Sequence, residues 1–344
     1  MNGYERIRAV FSGTEVDRVP VMLHNFMPAV REAGLTMNQF RNSPEKMADV
    51  FIHAARKYGL DGILTDVDTA LEAHALGAVT SFPEDVPAKV VAPASNRLDE
   101  LIDMVTPEKL VHDERIQIYV EAIRQIRHEV GNEIFIRGNA DQGPFSLAAA
   151  VYDMTNLMLD MMAPEKEQLL HQLIERCYQV HLSFHLMMRD AGADMTSFGD
   201  SMGSPDLISP KLYDKFVAPY QKRLVDELAQ NGITTVCHIC GNTDRILQQF
   251  AEIRFAGVDI DSKATLEKVE QTMRGKSIVL GVIDPTGIFF QGNRDRVERE
   301  TRRVLEIFGG TGIIPGSGCA LPAETPAENI QAFVDTVHSF VPIK

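Results

Sequence analysis

The chain has no tryptophan and only four cysteines, Cys177, Cys237, Cys240 and Cys319, in 344 residues. Four cysteines cannot staple a chain of this length, so a disulfide framework is excluded and a reducing, cytoplasmic setting is the expectation. Clusters of positive charge are missing as well. With 34 basic against 48 acidic residues the formal net charge is −14, which speaks against nucleic acid as a partner. There is no apolar run of about 18 residues, so no membrane span is expected. The stretch Met1–Arg6 lacks the apolar character of a signal peptide. No glycine-rich fingerprint follows any of the apolar runs, which argues against a dinucleotide cofactor.

What is present is an ordinary core former, 44% hydrophobic and 24% charged. The fifteen methionines read as adaptable core filler. Short apolar runs at about 18–24, 62–66, 133–137, 194–200, 233–240, 257–261, 277–284 and 312–315 read as strands. Helical patterns alternate with them: 43–58 behind the cap Ser43, 69–76 ending at Gly77, 114–130, a set through 189 broken near Pro164, 210–230, 243–251, 264–273 and 293–308. A closing helix is expected from Thr325 as its cap, with Pro326 at the first position. A short helix over 4–11 precedes the first strand, and the proline-rich stretch 78–112 is an excursion from the repeat. Eight apolar runs of four to six residues, alternating with helices, indicate parallel strands covered on both faces. In a chain of this length that predicts α/β class, one (β/α)8 TIM barrel domain over 1–344 with an N-terminal extension.

A barrel puts its chemistry at the C-terminal ends of its strands. His24, Asp66, Asp68, Asp141, Asp200, His238, Cys240, Asp261, Asp284 and Cys319 all fall at or just after such ends. His238 and Cys240 are two apart on one predicted strand, so they leave it from the same face. Cys319 follows in the glycine-rich turn Gly316–Cys319. Two thiolates and an imidazole suit zinc, and three protein ligands leave a fourth position open for catalysis. Cys237 faces the other way, and Cys177 sits mid-helix as packing. Asp200, Asp261 and His24 are the catalytic candidates; Asp66, Asp68 and Asp141 are candidates for holding a cofactor. The plain alternatives are strand-end caps for the carboxylates and a hydrogen-bonded structural histidine for His24. Asp259 and Asp261 share a face and can orient a metal ligand. A closed structural zinc in a binding module, with Cys237 or an aspartate as fourth ligand, is the non-enzymatic alternative.

The phrases Val16–Pro20, Glu72–Gly77, Gly143–Phe145, Gly192–Asp194, Asp206–Pro210, Phe216–Tyr220, His238–Gly241 and Gly318–Cys319 run in an order that resembles the uroporphyrinogen decarboxylase superfamily. Through His238, Cys240 and Cys319 the chain is most similar to its zinc-dependent branch, the methylcobalamin:coenzyme M methyltransferases and their corrinoid-linked relatives. The decarboxylase branch carries an arginine-rich segment after its first strand; here the stretch is Val21–Met27, with no arginine until Arg31. The resemblance implies a barrel, zinc on the His/Cys/Cys set, and methyl transfer involving a corrinoid. It implies a corrinoid protein as partner at the barrel mouth and a small methyl acceptor or donor: a thiol, a pterin or a methyl ether. A substrate thiol would be deprotonated at the open zinc position, or an ether oxygen polarised there.

Overall fold

The computed structural model describes residues 1–342. Eight parallel strands form one sheet in sequence order: β1 (Met22–Leu23), β2 (Gly62–Thr65), β3 (Phe135–Gln142), β4 (Met195–Gly199), β5 (Thr235–Ile239), β6 (Gly257–Ile260), β7 (Ile278–Ile283) and β8 (Ile313–Ser317). The last strand returns to the first. Leu321 N donates to the His24 carbonyl at 2.9 Å, and a Cβ on Gly316 would lie 3.1 Å from the Met22 carbonyl oxygen. The expected (β/α)8 barrel is therefore the fold, and all eight expected strands belong to it. Among the described residues no helix is long and apolar enough to cross a membrane.

Strand alternation divides each strand between two environments. Outward side chains such as Ile63, Ile136, Phe198, Cys237, Ile239, Val258 and Ile313 join the large core under the helices. Inward ones build the barrel's own filling. At its lower level Met22, Leu64, Phe135, Met195, Val236, Leu280 and Ile314 form an apolar cluster with Ile7. Ile7 comes from the N-terminal helix Gly3–Phe11, so the extension plugs the bottom of the barrel. Asp61 holds that plug: Arg6 and Arg18 both pair with its carboxylate, which also accepts from Val21 N at 2.8 Å. Two residues further along the strands, the inward positions become His24, Asp66, Arg137, Ser197, His238 and Asp259. A rise of about 3.3 Å per residue puts this polar level some 7 Å nearer the mouth.

Several boundaries differ from the sequence expectation. The first strand is only two residues long, because Pro20 cannot donate to the ladder and His24 already turns into the next helix. The helix expected over 210–230 is two, Pro210–Phe216 and Ala218–Gln230, parted at Val217, where Pro219 in the first turn of the second helix has no N–H to continue the ladder of the first. The closing helix runs Ala327–Ser339 with Pro326 in the cap position. The Thr325 hydroxyl does not cap it; it donates back to the Pro322 carbonyl at 2.7 Å. The excursion is a two-stranded antiparallel hairpin, Val79–Ser81 with Lys89–Ala92, followed by helices Leu98–Met104 and Pro107–His112.

Candidate metal centre

His238 and Cys240 leave β5 toward the barrel interior, as their spacing requires, while Cys237 is fully buried on the other face. The Cys319 turn comes up beside them across the mouth. His238 Nε2 lies 3.0 Å from Cys240 Sγ, and the two sulfurs are 3.9 Å apart. One donor atom from each residue fits within 4.8 Å of the others; among the described residues no other group of three His, Cys, Asp or Glu side chains does so. All three are partly exposed, so the trio is reachable from the mouth.

Backbone approaches fix this geometry. His238 stands in register with Asp259 on β6, and its Nδ1 lies 2.9 Å from the Asp259 carbonyl oxygen. That bond assigns the Nδ1 proton and leaves the Nε2 lone pair for a metal. Cys240 N donates to Ser201 Oγ at 3.1 Å, and Gly241 N donates to Asp261 Oδ2 at 2.7 Å. Gly318, next to Cys319, packs so tightly that a Cβ there would sit 2.6 Å from Ser262 N and 2.9 Å from the Ile260 carbonyl oxygen.

The donor set passes the test of fit. A tetrahedral zinc with Zn–S bonds of about 2.3 Å holds two sulfurs about 3.8 Å apart, close to the spacing seen here. Without a metal the trio shares protons instead. Hydrogen bonding from Cys319, with the His238 charge and hydrogen bond, outweighs burial and pulls the Cys240 thiol down to about 3. Cys319 moves up, because it donates to that thiolate and its sulfur is largely shielded from water. Burial pulls His238 down, but the Cys240 sulfur and Asp259 more than offset it and raise the imidazole to about 9. A soft divalent cation would displace these protons.

The remaining sequence candidates go to different places. His24 and Asp66 meet at the polar level, Nε2 to Oδ2 at 2.6 Å, both with some exposure toward the mouth. Asp261 works through its bond to Gly241 and also accepts from Lys263 N at 3.0 Å. Asp200 is fully engaged outside the barrel interior, taking Ser146 N at 2.8 Å and Gln221 Nε2 at 2.9 Å. Burial pushes its carboxyl up. Asp68 accepts from Ala70 N at 2.9 Å and pairs with Arg115. Asp141, at φ 58° and fully buried, accepts from Glu72 N at 3.3 Å; burial and the neighbouring carboxylates drive its carboxyl well up. Asp284 caps the turn over 285–290 through Thr286 N and Gly287 N.

Sequence reasoning passed over Arg137. Its Nη2 reaches Asp259 Oδ2 at 2.9 Å, from β3 to β6, through the barrel interior. The signal was available: one charged residue directly after the apolar run Ile134–Ile136 of a buried strand, on its inward face. Of the two aspartates expected to orient a metal ligand, Asp259 does so with its carbonyl and spends its carboxylate on Arg137. Two cavities, of about 730 Å³ and 880 Å³, lie away from the trio. The first lies against the N-terminal ends of β6 to β8, and the second between helices Pro44–Tyr58 and Glu114–Val130.

The model of the family "Uroporphyrinogen decarboxylase (URO-D)" matches residues 2–340. The chain is 27% identical over 340 residues to the methylcobamide:CoM methyltransferase MtaA of Methanosarcina barkeri, covering 96% of this chain and 95% of that protein. It is 24% identical over 302 residues to the uroporphyrinogen decarboxylase of Carboxydothermus hydrogenoformans, covering 86% and 83%. A solved methyltransferase from Methanosarcina mazei superposes with a TM-score of 0.90 at 24% identity, over 98% of both chains.

Proposed function

The chain belongs to the uroporphyrinogen decarboxylase (URO-D) family, whose members include methyltransferases and decarboxylases, and on that premise we propose that it is a zinc-dependent methyltransferase. In this reading it moves a methyl group between a corrinoid, carried by a separate protein, and a small acceptor or donor such as a thiol, a pterin or a methyl ether. The observation that carries the reading is the partly exposed His238–Cys240–Cys319 trio at the barrel mouth. When bound there, zinc supplies an open position that deprotonates a thiol or polarises an ether oxygen.

The chain's own residues do the rest. Two thiolates and a neutral imidazole balance the charge of a divalent cation, so a bound thiolate keeps its electron density. The Asp259 carbonyl holds His238 in the tautomer that leaves Nε2 free. Asp261 fixes the backbone just past Cys240, and the close packing at Gly318 fixes the turn that carries Cys319. The His24–Asp66 pair faces the same mouth and, in this reading, is the group that takes up or returns the substrate proton. Asp68 and Asp141 are buried beyond the ends of β2 and β3 and held by Arg115, Ala70 N and Glu72 N; in this reading Asp66, beside His24, is the carboxylate that meets a bound corrinoid or acceptor.

The test is a methyl-transfer assay with methylcobalamin and a panel of thiols and pterins, run also in reverse against aryl methyl ethers. Metal content is measured on the same samples. Transfer that disappears with the zinc and returns with it supports the reading. Release of CO₂ from a porphyrinogen with no methyl transfer overturns it in favour of the decarboxylase branch. A cobalt-substituted protein whose spectrum no added thiol changes overturns the open coordination position.

A further inference from the structure

Beside the mouth, under the hairpin, two arginines are buried with less negative charge than they need. Arg41, from the helix Met37–Arg41, is 2% exposed, and Arg115, from the helix Glu114–Val130, is 8% exposed. A guanidinium cannot shed its proton, so burial has to be offset by acceptors. Arg115 has one, Asp68. Arg41 hydrogen-bonds only the neutral carbonyls of Pro83 and Val86; burial pulls its pKa down, and the fields of Asp68 and Glu84, opposed by the like charge of Arg115, do not make this good.

Both guanidiniums lie over one ring, that of Phe82, at 5.8 Å and 4.9 Å from its centroid, and His74 meets the same ring edge-on at 5.2 Å. Around that ring Arg41 Nε, Arg115 Nε, Arg115 Nη1 and His74 Nδ1 are all buried and without a partner. Buried, unmet donors on two cations are costly unless an acceptor completes them. Asp68 holds Arg115 Nη2, while Nε and Nη1 lie on opposite edges of the guanidinium, so one oxyanion can meet either of them but not both. A carboxylate has only two oxygens to offer; a tetrahedral phosphate group has enough for one free Arg115 donor, Arg41 and His74 together.

We propose that Arg41, Arg115 and His74 form an anion site for a phosphate group, free or esterified, with the Phe82 ring as its cover. Phe82 is 42% exposed, so one surface side chain separates the site from solvent. The site lies outside the metal centre and stands whether or not the methyl-transfer reading does. It touches the mouth through Asp68, which an anion on Arg115 would partly release.

Titration calorimetry on the full chain, in phosphate-free buffer with chelator at matched ionic strength, tests it with inorganic phosphate, dimethyl phosphate and acetate. The expected result is saturable binding of one phosphate per chain, weakened about tenfold or more in Arg115→Met and in Arg41→Met, as loss of a charge-assisted bond requires. Phe82→Ala, which removes the cover and no charge, should still bind. Binding of dimethyl phosphate assigns the phosphate of an ester; binding of inorganic phosphate alone assigns the free ion. No saturable binding in either wild type or Phe82→Ala overturns the site, and so does equal affinity in both arginine variants. Acetate bound as tightly as phosphate overturns the ligand class. Should the arginine variants fail to fold, the wild-type and Phe82→Ala titrations still decide.

Discussion

Arg137 on β3 and Asp259 on β6 meet at 2.9 Å across the inside of the barrel, and the carbonyl of the same Asp259 lies 2.9 Å from His238 Nδ1. A buried ion pair between two non-neighbouring strands thus fixes the peptide that orients a metal ligand. Arg137→Met is expected to leave the Asp259 carboxylate buried and unpaired, at a cost on the order of 3 kcal/mol in stability. Zinc affinity should fall by about 10- to 100-fold as the His238 ring loses its fixed orientation. Arg137→Lys should recover part of both. Chelator competition and denaturant unfolding measure the two effects, and zinc affinity unchanged in Arg137→Met would break the link between the pair and the metal.

Cys240→Ala and Cys319→Ala each remove one thiolate from a three-ligand set. Both variants should keep the far-UV circular dichroism of the parent, since neither side chain belongs to the core. Zinc content after dialysis is expected to drop to about a tenth of the parent's or less, because two remaining ligands cannot hold the ion against water. Methyl transfer should be lost with it. Elemental analysis of the dialysed proteins is the check, and full occupancy in either variant counts against that cysteine.

Gly318→Ala probes the turn without touching a ligand. Its Cβ would lie 2.6 Å from Ser262 N and 2.9 Å from the Ile260 carbonyl oxygen, and these are backbone atoms at the end of β6, not the tip of a flexible side chain. The turn must shift, carrying Cys319 with it. The expected outcome is a folded protein with zinc affinity lowered at least about tenfold, in line with loss of ligand positioning. Normal affinity with lowered melting temperature would confine the glycine's role to packing.

A pH dependence comes from the core, away from the metal. Glu72, His181 and His185 are fully buried in a chain. His181 Nδ1 lies 3.1 Å from Glu72 Oε1, the two histidine Nε2 atoms are 3.0 Å apart, and His185 Nδ1 lies 2.6 Å from Thr196 Oγ1. Burial lowers His181 to about 3 and drives His185 well down, with His181 adding to the second shift, while burial alone pushes Glu72 well up. Below the ordinary histidine value of about 6.5, the unfolded chain takes protons that the folded imidazoles refuse, so stability falls by about 1.4 kcal/mol per pH unit for each histidine. Glu72 acts in the opposite sense and offsets part of this, since the folded carboxyl accepts its proton before the unfolded one does. His185→Gln should therefore flatten the loss of stability between pH 6.5 and about 4.5 by roughly one proton's worth. Urea unfolding at several pH values measures the slope; an unchanged slope would mean that His185 is protonated in the folded protein.

Much of this protein was legible in one dimension. Eight apolar runs alternating with helices gave the barrel, and the two-residue spacing of His238 and Cys240 put both on one strand face. Local geometry suffices there, because strand period and helix period follow from backbone dihedral angles alone. The Cys319 turn could be placed on the same rim once the barrel was assumed.

Other relationships are set by closure of the sheet. Which inward residues meet across the barrel depends on strand order and stagger, and no local spacing encodes either. Arg137 therefore finds Asp259, His24 finds Asp66, and Glu72 meets His181 behind the sheet, each pair joining separate βα units. The carboxylates at the strand ends looked alike in sequence, yet the fold spends Asp200 on a helix start and Asp68 on a buried arginine, and leaves Asp66 at the mouth. The sequence by itself determined the ligand types and the strand that presents two of them. The tertiary structure decided which donors converge, because only a closed barrel brings residues from opposite strands within the few ångströms at which hydrogen bonds and metal ligands act.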